Sequence, residues 1–415
     1  MVISRDIYLN QLIDGRENGF IKVVTGMRRC GKSTLLQTIF RNYLLRDGIE
    51  PDHIISIDLD DRVNLQLRDP DALLAYIRHK IADGKLYFIL LDEIQMVNEF
   101  IDVLNSLLHI GNADVYVTGS NSHFLSTDIV TEFRDRSDEI HLYPFSFKEY
   151  YSAVGGDREE AWKDFYTYGG LPHILTLKGD KKKSDYLYSV YRKTYITDIE
   201  ERHEIKQQEF KELAQILASS IGSPCNPNKL AHTFKSRDNV DLSYPTIVKY
   251  LSYLKDAFLI EEAERYDIKG KKYIGSLSKY YFGDIGVRNA ILNFRQQEEN
   301  HIMENILYNE LRMRGLNVDV GTWDVKTDVE GKTVRRQLEV DFVVNEGSNR
   351  YYIQSAFAIP DTAKEVQEKR SLKMIDDSFK KIVVVKDNIK LKRDEYGIVT
   401  MGLLDFLLNK ESLSL

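Results

Sequence analysis

Gly26, Gly31, Lys32 and Ser33 stand at the spacing Gly-x-x-x-x-Gly-Lys-Ser, between the apolar run Ile21–Val24 and an amphipathic stretch from Lys32 to Leu45. Glycines at those two positions let consecutive backbone N–H groups converge on phosphate oxygens, and a helix beginning just after them adds its positive end to the same point. The whole loop, Gly26, Met27, Arg28, Arg29, Cys30, Gly31, Lys32, Ser33 and Thr34, is the candidate nucleotide-binding segment. Lys32 is placed to reach the β and γ phosphates, and Ser33 to offer its hydroxyl to Mg²⁺. Cys30 within the loop reads as a small residue filling a tight turn, or as a thiol whose oxidation blocks the nucleotide.

A second segment carries the acid chemistry. Leu86 to Leu91 is a buried-type strand that ends in Asp92-Glu93. Asp92 is the candidate metal ligand, and Glu93 the residue that polarises a water for in-line attack. The stretch Val115-Tyr116-Val117-Thr118-Gly119-Ser120-Asn121 ends another strand in polar side chains, with Ser120 and Asn121 as candidates for contact with the γ-phosphate or the water. Arg134 and Arg136 precede a strand at Glu139–Tyr143, where a guanidinium either meets the nucleotide of a neighbouring copy or pairs with Asp135 or Asp138 on the surface. Asn228-Lys229-Leu230-Ala231 lacks the aspartate of a guanine-reading motif, which favours ATP over GTP.

These residues need a scaffold that brings strand ends together. Short apolar runs at 21–24, 54–57, 87–91 and 115–117 alternate with amphipathic stretches at 72–82 and 101–108, the pattern of a parallel α/β sheet with helices on both faces. The character becomes helical and tyrosine-rich from 146 to 265, with short helices expected at 230–234 and 246–254. It changes again after 270, with a helix at 304–314, strands at 338–344, 351–353 and 381–385, and a helix at 403–408.

At 415 residues the chain predicts two or three domains, and a hydrophobic content of 43% excludes long disorder. The net charge of −7 excludes a globally basic nucleic-acid binder, so any such contact needs a local patch. Two cysteines, Cys30 and Cys225, cannot build a disulfide framework. With no run of about 18 apolar residues and no leader pattern, the expectation is a cytoplasmic protein without a membrane partner.

With those motifs in view, the chain resembles a prokaryotic family of AAA+ ATPases that carry a C-terminal domain of uncharacterised function. The marks are IKVVTGMRRCGKSTLL at 21–36, LLDEIQ at 90–95, VTGSNS at 117–122, RSDEIHLYPFSFKEY at 136–150, YGGLP at 168–172, TYITDIEER at 194–202, KYYFGDIGVRNA at 279–290 and RRQLEVDFVV at 335–344. The resemblance implies an α/β P-loop domain over 1–150 and a helical lid or linker over 151–204. A winged-helix-like module over 205–275 and a nuclease-like domain of the PD-(D/E)XK type over 276–415 follow. It implies ATP and Mg²⁺ as cofactors, Asn121 or Ser120 as sensor, and Arg136 before Arg134 as an arginine finger, hence a homo-oligomer. In the winged-helix-like module, Thr246–Leu254 is the recognition helix and Lys269-Gly270-Lys271-Lys272 the wing tip, a place for DNA backbone. In the tail, Glu304 and Asp341 match a metal-binding pattern, but Gln354 and Ala356 stand where a glutamate and a lysine belong. That departure predicts a degenerate site of Glu304, Asp341 and Gln354, and a module that docks DNA or a protein partner rather than cleaving.

Overall fold

The computed structural model describes residues 3–119, 136–203, 205–237, 242–296, 298–329, 332–358 and 362–415. The chain divides into two compact units. One comprises Met1–Pro144 with Asp256–Phe258, the other Phe145–Lys255 with Leu259–Leu415.

The first unit is built on five parallel strands: β1 (Ile21–Thr25), β2 (Ile54–Asp58), β3 (Tyr87–Asp92), β4 (Ala113–Thr118) and β5 (Ser137–His141). Their order across the sheet is β2-β3-β4-β1-β5. Every residue of β1 and β3 is buried, as a strand covered on both faces requires. On one face the alternate residues Ile21, Val23, Ile55, Ile57, Ile89, Leu91, Val115 and Val117 form a core with α3 (Pro70–Lys80) and α4 (Phe100–Leu108). The Asp69 carboxylate accepts from Ala72 N–H and Pro70 occupies the first turn, which is why α3 begins there. On the other face Tyr116 meets Phe40, with ring centroids 4.6 Å apart. Phe40 belongs to α2, which is π-wound over Thr34–Phe40 and α-helical over Arg41–Arg46. Between these elements, Lys22 and Asp114 form a fully buried ion pair across β1 and β4. The expected parallel α/β domain is thus present, although β5 starts two residues earlier than its apolar residues suggested.

The second unit holds a nine-stranded mixed sheet. Its strands are β6 (Pro224–Cys225), β7 (Ile260–Asp267), β8 (Lys272–Phe282), β9 (Asn317–Val329), β10 (Lys332–Glu346), β11 (Asn349–Ala356), β12 (Lys380–Val385), β13 (Lys392–Arg393) and β14 (Val399–Gly402). They lie in the order β13-β14-β12-β11-β10-β9-β7-β8-β6. The boundary expected at 275/276 falls inside β8. Because β7 pairs in parallel with β9 through Arg265–Val320, Tyr266–Gly321 and Asp267–Thr322, the hairpin β7–β8 and the C-terminal strands share one sheet. Helices at Pro227–Arg237 and Tyr244–Asp256 extend the two short helices expected there.

Two motifs of the second unit serve packing. Asp284 opens the wholly buried helix Ile285–Ile291. Its carboxylate accepts from Val287 N–H at 2.9 Å and from Gly170 N–H at 2.8 Å. Gly169 has φ +74°, and a Cβ there would lie 2.4 Å from Asp284 Oδ1, so only glycine brings the backbone this close. Burial raises the Asp284 pKa to about 6, against four backbone N–H bonds that lower it. Asn289 Nδ2 donates to the carbonyls of Tyr166 and Thr167, closing the same contact.

Candidate active site

The loop after β1 is shaped by residues that tolerate left-handed backbone. Gly26 has φ +135° and a Cβ there would lie 2.2 Å from the carbonyl oxygen of Leu142. Arg29 and Gly31 also have positive φ, at 67° and 105°. Cys30 is completely buried beneath the turn. Burial raises its thiol pKa above the ordinary value, against the lowering influence of Lys32 and Arg5, and a buried neutral thiol is a poor target for oxidation. The small-filler reading of Cys30 is the one this geometry favours.

Lys32 is 4% exposed. Its ammonium donates to the carbonyls of Gly26 at 2.9 Å and Met27 at 3.0 Å. Among the described residues it has no carboxylate partner. Leu35 N–H then bonds Gly31 O at 2.8 Å, so the helix starts immediately after the loop.

The ends of β3 and β4 meet the start of α2. Asp92 is 2% exposed, and its carboxylate accepts from the hydroxyls of Thr118 and Ser33. Burial raises the Asp92 pKa; the two hydroxyls oppose this, while the neighbouring Glu93 and Asp58 carboxylates add to it. Such a carboxylate is better satisfied beside a cation. Hard oxygen donors from Ser33 and Asp92 fit Mg²⁺. Asp58, at the end of β2, stands in register with Asp92. Glu93 adopts left-handed backbone, φ 53° and ψ 51°, a conformation that costs a non-glycine residue about 1–3 kcal/mol. Its N–H donates to Thr118 Oγ1 at 2.9 Å, and its carboxylate accepts from Gln95.

Thr118 therefore holds both acidic residues, and its role was missed in the sequence. A threonine ending a strand is ordinary, and only the pairing of β3 with β4 brings it against Asp92. On the other side of β1, Thr25 Oγ1 donates to Glu139 Oε1 at 2.8 Å and lies 3.1 Å from His141 Nδ1, coupling the ends of β1 and β5.

Ser120, Asn121 and Arg134 lie outside the described residues. Arg136 is exposed, and its carbonyl accepts from Ile21 N–H at 3.0 Å. That places it at the start of β1 and β5, whereas the phosphate loop follows the end of β1. Five strand residues at about 3.3 Å each separate the two levels by roughly 16 Å. In its own chain Arg136 is at the opposite end of the strands from the loop.

The predicted tail residues converge in the second unit, with additional partners. Glu304, on the helix Glu299–Met313, accepts from Tyr281 OH at 2.7 Å and pairs with Lys279 at 3.0 Å. Asp341 on β10 accepts from Gln354 Nε2 and Ser355 N–H, both at 2.8 Å. Gln354 turns its amide nitrogen to Asp341 and leaves Oε1 buried without a partner. Ala356 is buried. Burial, followed by the Glu304 charge, pushes the Asp341 pKa up to about 8, while Lys279 and Ser355 N–H act in the other direction. Among the described residues, no three of the His, Cys, Asp and Glu side chains are grouped to hold a metal ion. No described helix is long and apolar enough to cross a membrane.

Residues 18–151 match a family model described as an AAA domain, and residues 159–298 match one described as a domain of unknown function (DUF8612). An uncharacterized protein of Haemophilus influenzae is 33% identical over 415 residues, covering 98% of this chain and 99% of that protein. An uncharacterized protein of Methanocaldococcus jannaschii is 30% identical over 411 residues, covering 95% of this chain and 85% of that protein. Among solved structures, similarity to the Aeropyrum pernix ORC2 protein in its ADP form covers 72% of this chain and 92% of that one, at 13% identity and a TM-score of 0.36.

Proposed function

Because the chain belongs to one family with these Haemophilus and Methanocaldococcus proteins, and its residues 18–151 form an AAA domain, we propose that this domain binds and hydrolyses ATP. The observation that carries the reading is the chain of contacts from Ser33 to Asp92 to Thr118 to Glu93, assembled beside Lys32 at one end of the sheet. Lys32 exchanges its carbonyl partners for phosphate oxygens, and loop N–H groups hold the same phosphates. Ser33 and Asp92 are the oxygen donors for Mg²⁺, which when bound offsets phosphate charge. Glu93 orients the attacking water. Hydrolysis gates a conformational change of the second unit, whose 205–275 portion is winged-helix-like and whose 276–415 portion is nuclease-like and docks a partner. Arg136, exposed and remote from its own loop, reaches the nucleotide of a neighbouring copy in a homo-oligomer.

Steady-state turnover and nucleotide binding test this. Lys32→Ala should lose binding, whereas Glu93→Gln should bind ATP and fail to release it as product. Turnover by both variants at the unmodified rate refutes the roles.

A nucleotide-gated DNA contact is favoured by one further observation. Lys269, Lys271 and Lys272 crowd one exposed hairpin turn with no carboxylate partner among the described residues, beside Tyr273, which is 58% exposed. Neutralising the three lysines should weaken DNA binding and flatten its salt dependence. Unchanged affinity in a shift assay, together with slow turnover, favours the reading in which the second unit docks a protein.

A further inference from the structure

Lys279 is a lysine where a charge is costly. It lies on β8, inside the sheet, and is 3% exposed. Its ammonium is 3.0 Å from Glu304 Oε1, 2.8 Å from Glu339 Oε1 and 3.9 Å from Asp341 Oδ1. Glu304 and Asp341 are nearly buried and Glu339 is half-buried; carboxylates drawn together there repel one another and need a cation among them. The cation on hand is part of the chain.

The remaining contacts suit an ammonium better than a metal. Glu304 Oε1 also takes the hydroxyl of Tyr281, which is fully buried and has no water to turn to. Asp341 Oδ2 is occupied by Gln354 Nε2 and Ser355 N–H. A Cβ on Gly222 would lie 2.9 Å from both Glu304 oxygens, so the chain covers that side closely. Apart from the buried Gln354 Oε1, the groups that bond these carboxylates are hydrogen-bond donors. Mg²⁺ instead requires about six oxygen ligands in octahedral array.

We infer that Lys279 is the resident cation of this cluster, standing where Glu304, Glu339 and Asp341 converge, and that the cluster is a metal-independent clasp. The clasp joins β8 to the helix Glu299–Met313 and to β10, with Asp341 tied on to β11. Lys279 and its carboxylate partners all lie on the C-terminal side of the boundary expected at 275/276. The strand that carries Lys279, β8, crosses that boundary, so the clasp fixes this strand to the C-terminal part of the sheet. This holds whether or not the first unit hydrolyses ATP.

The test uses the full-length chain without nucleotide, carrying Asp92→Asn to silence the phosphate-loop site, with Mn²⁺ as the probe and free Mn²⁺ read by EPR. This parent should show no Mn²⁺ binding that depends on Asp341. Adding Lys279→Ala, which empties the ammonium position, should raise Mn²⁺ affinity by roughly tenfold or more, and adding Asp341→Asn should abolish the gain. Lys279→Met keeps the stem's packing and serves if the alanine variant does not fold. The proposal is overturned if the parent binds Mn²⁺ and loses it with Asp341→Asn. It is equally overturned if a folded Lys279 variant binds no better than the parent. Should neither Lys279 variant fold, the parent decides through its melting temperature. Identical values in Mn²⁺ and in EDTA support the clasp, and a rise with Mn²⁺ that Asp341→Asn removes refutes it.

Discussion

Thr118→Val is the substitution that probes the proposed hydrolysis site most directly. Valine keeps the β-branched shape at the end of β4 and deletes only the hydroxyl. Two bonds go with it: the donor to the buried Asp92 carboxylate and the acceptor for Glu93 N–H at 2.9 Å. A hydrogen bond to a charged group contributes about 1.5–3 kcal/mol, and an orphaned N–H costs about 1–3 kcal/mol. The two losses are not additive, because Glu93 is only partly buried and water can replace its partner. About 2–3 kcal/mol is therefore at stake. If it is spent on positioning Asp92 and Glu93, the turnover number falls roughly 30- to 150-fold. ATP affinity should change less than about threefold, because Lys32 and the loop are untouched. The assay is saturating-ATP turnover beside direct binding of a fluorescent nucleotide, with Thr118→Ser as the restoring control. Turnover within about threefold of the parent would refute the reasoning, and so would a loss of binding as deep as that of Lys32→Ala.

Gly26→Ala places a Cβ 2.2 Å from Leu142 O at φ +135°, so the loop must deform; nucleotide affinity should drop more than about tenfold, measured by titration. Gly169→Ala drives a Cβ into the Asp284 carboxylate at 2.4 Å, and the melting temperature of the second unit should fall by several degrees in calorimetry. Asp284 binds its proton more tightly when folded, at about 6 against 3.8. It therefore penalises the fold by about 3 kcal/mol above pH 6, and the penalty fades as pH falls towards 4. In urea unfolding, the stability difference between parent and Asp284→Asn should shift in the parent's favour by most of that amount from pH 8 to pH 4; parallel profiles would contradict it. Arg136→Ala should abolish any rise of specific activity with protein concentration while leaving ATP affinity intact.

The phosphate loop was legible because its evidence is local. The glycines, the lysine and the serine sit within eight residues, directly after a short strand-type segment that is apolar at Ile21, Val23 and Val24. Asp92-Glu93 was legible for the same reason. Thr118 was not, since its meaning depends on β4 pairing with β3, and that partner is set by the whole sheet. Arg136 was found as a residue but not as a place. Its distance from its own loop follows from the parallel pairing of β1 and β5, which no spacing in the sequence encodes. Lys279 was hidden more deeply. It lies 25 residues from Glu304, on a different element, and only the folded sheet brings its ammonium to the carboxylates. The long strand β9 also escaped notice, although its residues Val320 and Trp323 are as buried as the strands that were found.

Two buried lysines show why residue type alone does not reveal a role. Lys32 and Lys279 are almost equally hidden, at 4% and 3% exposure. Lys32 is held by two neutral carbonyls, Gly26 O and Met27 O. Carbonyl dipoles solvate an ammonium without cancelling its charge, so an approaching phosphate still gains most of the Coulomb attraction. Lys279 faces Glu304 and Glu339 at 3.0 and 2.8 Å, with Asp341 at 3.9 Å. Its charge is already matched, and a phosphate brought there meets net negative potential. One lysine is thus available to an anionic ligand and the other is committed to the fold. The distinction rests on what surrounds each ammonium, and exchanging those surroundings would exchange the roles.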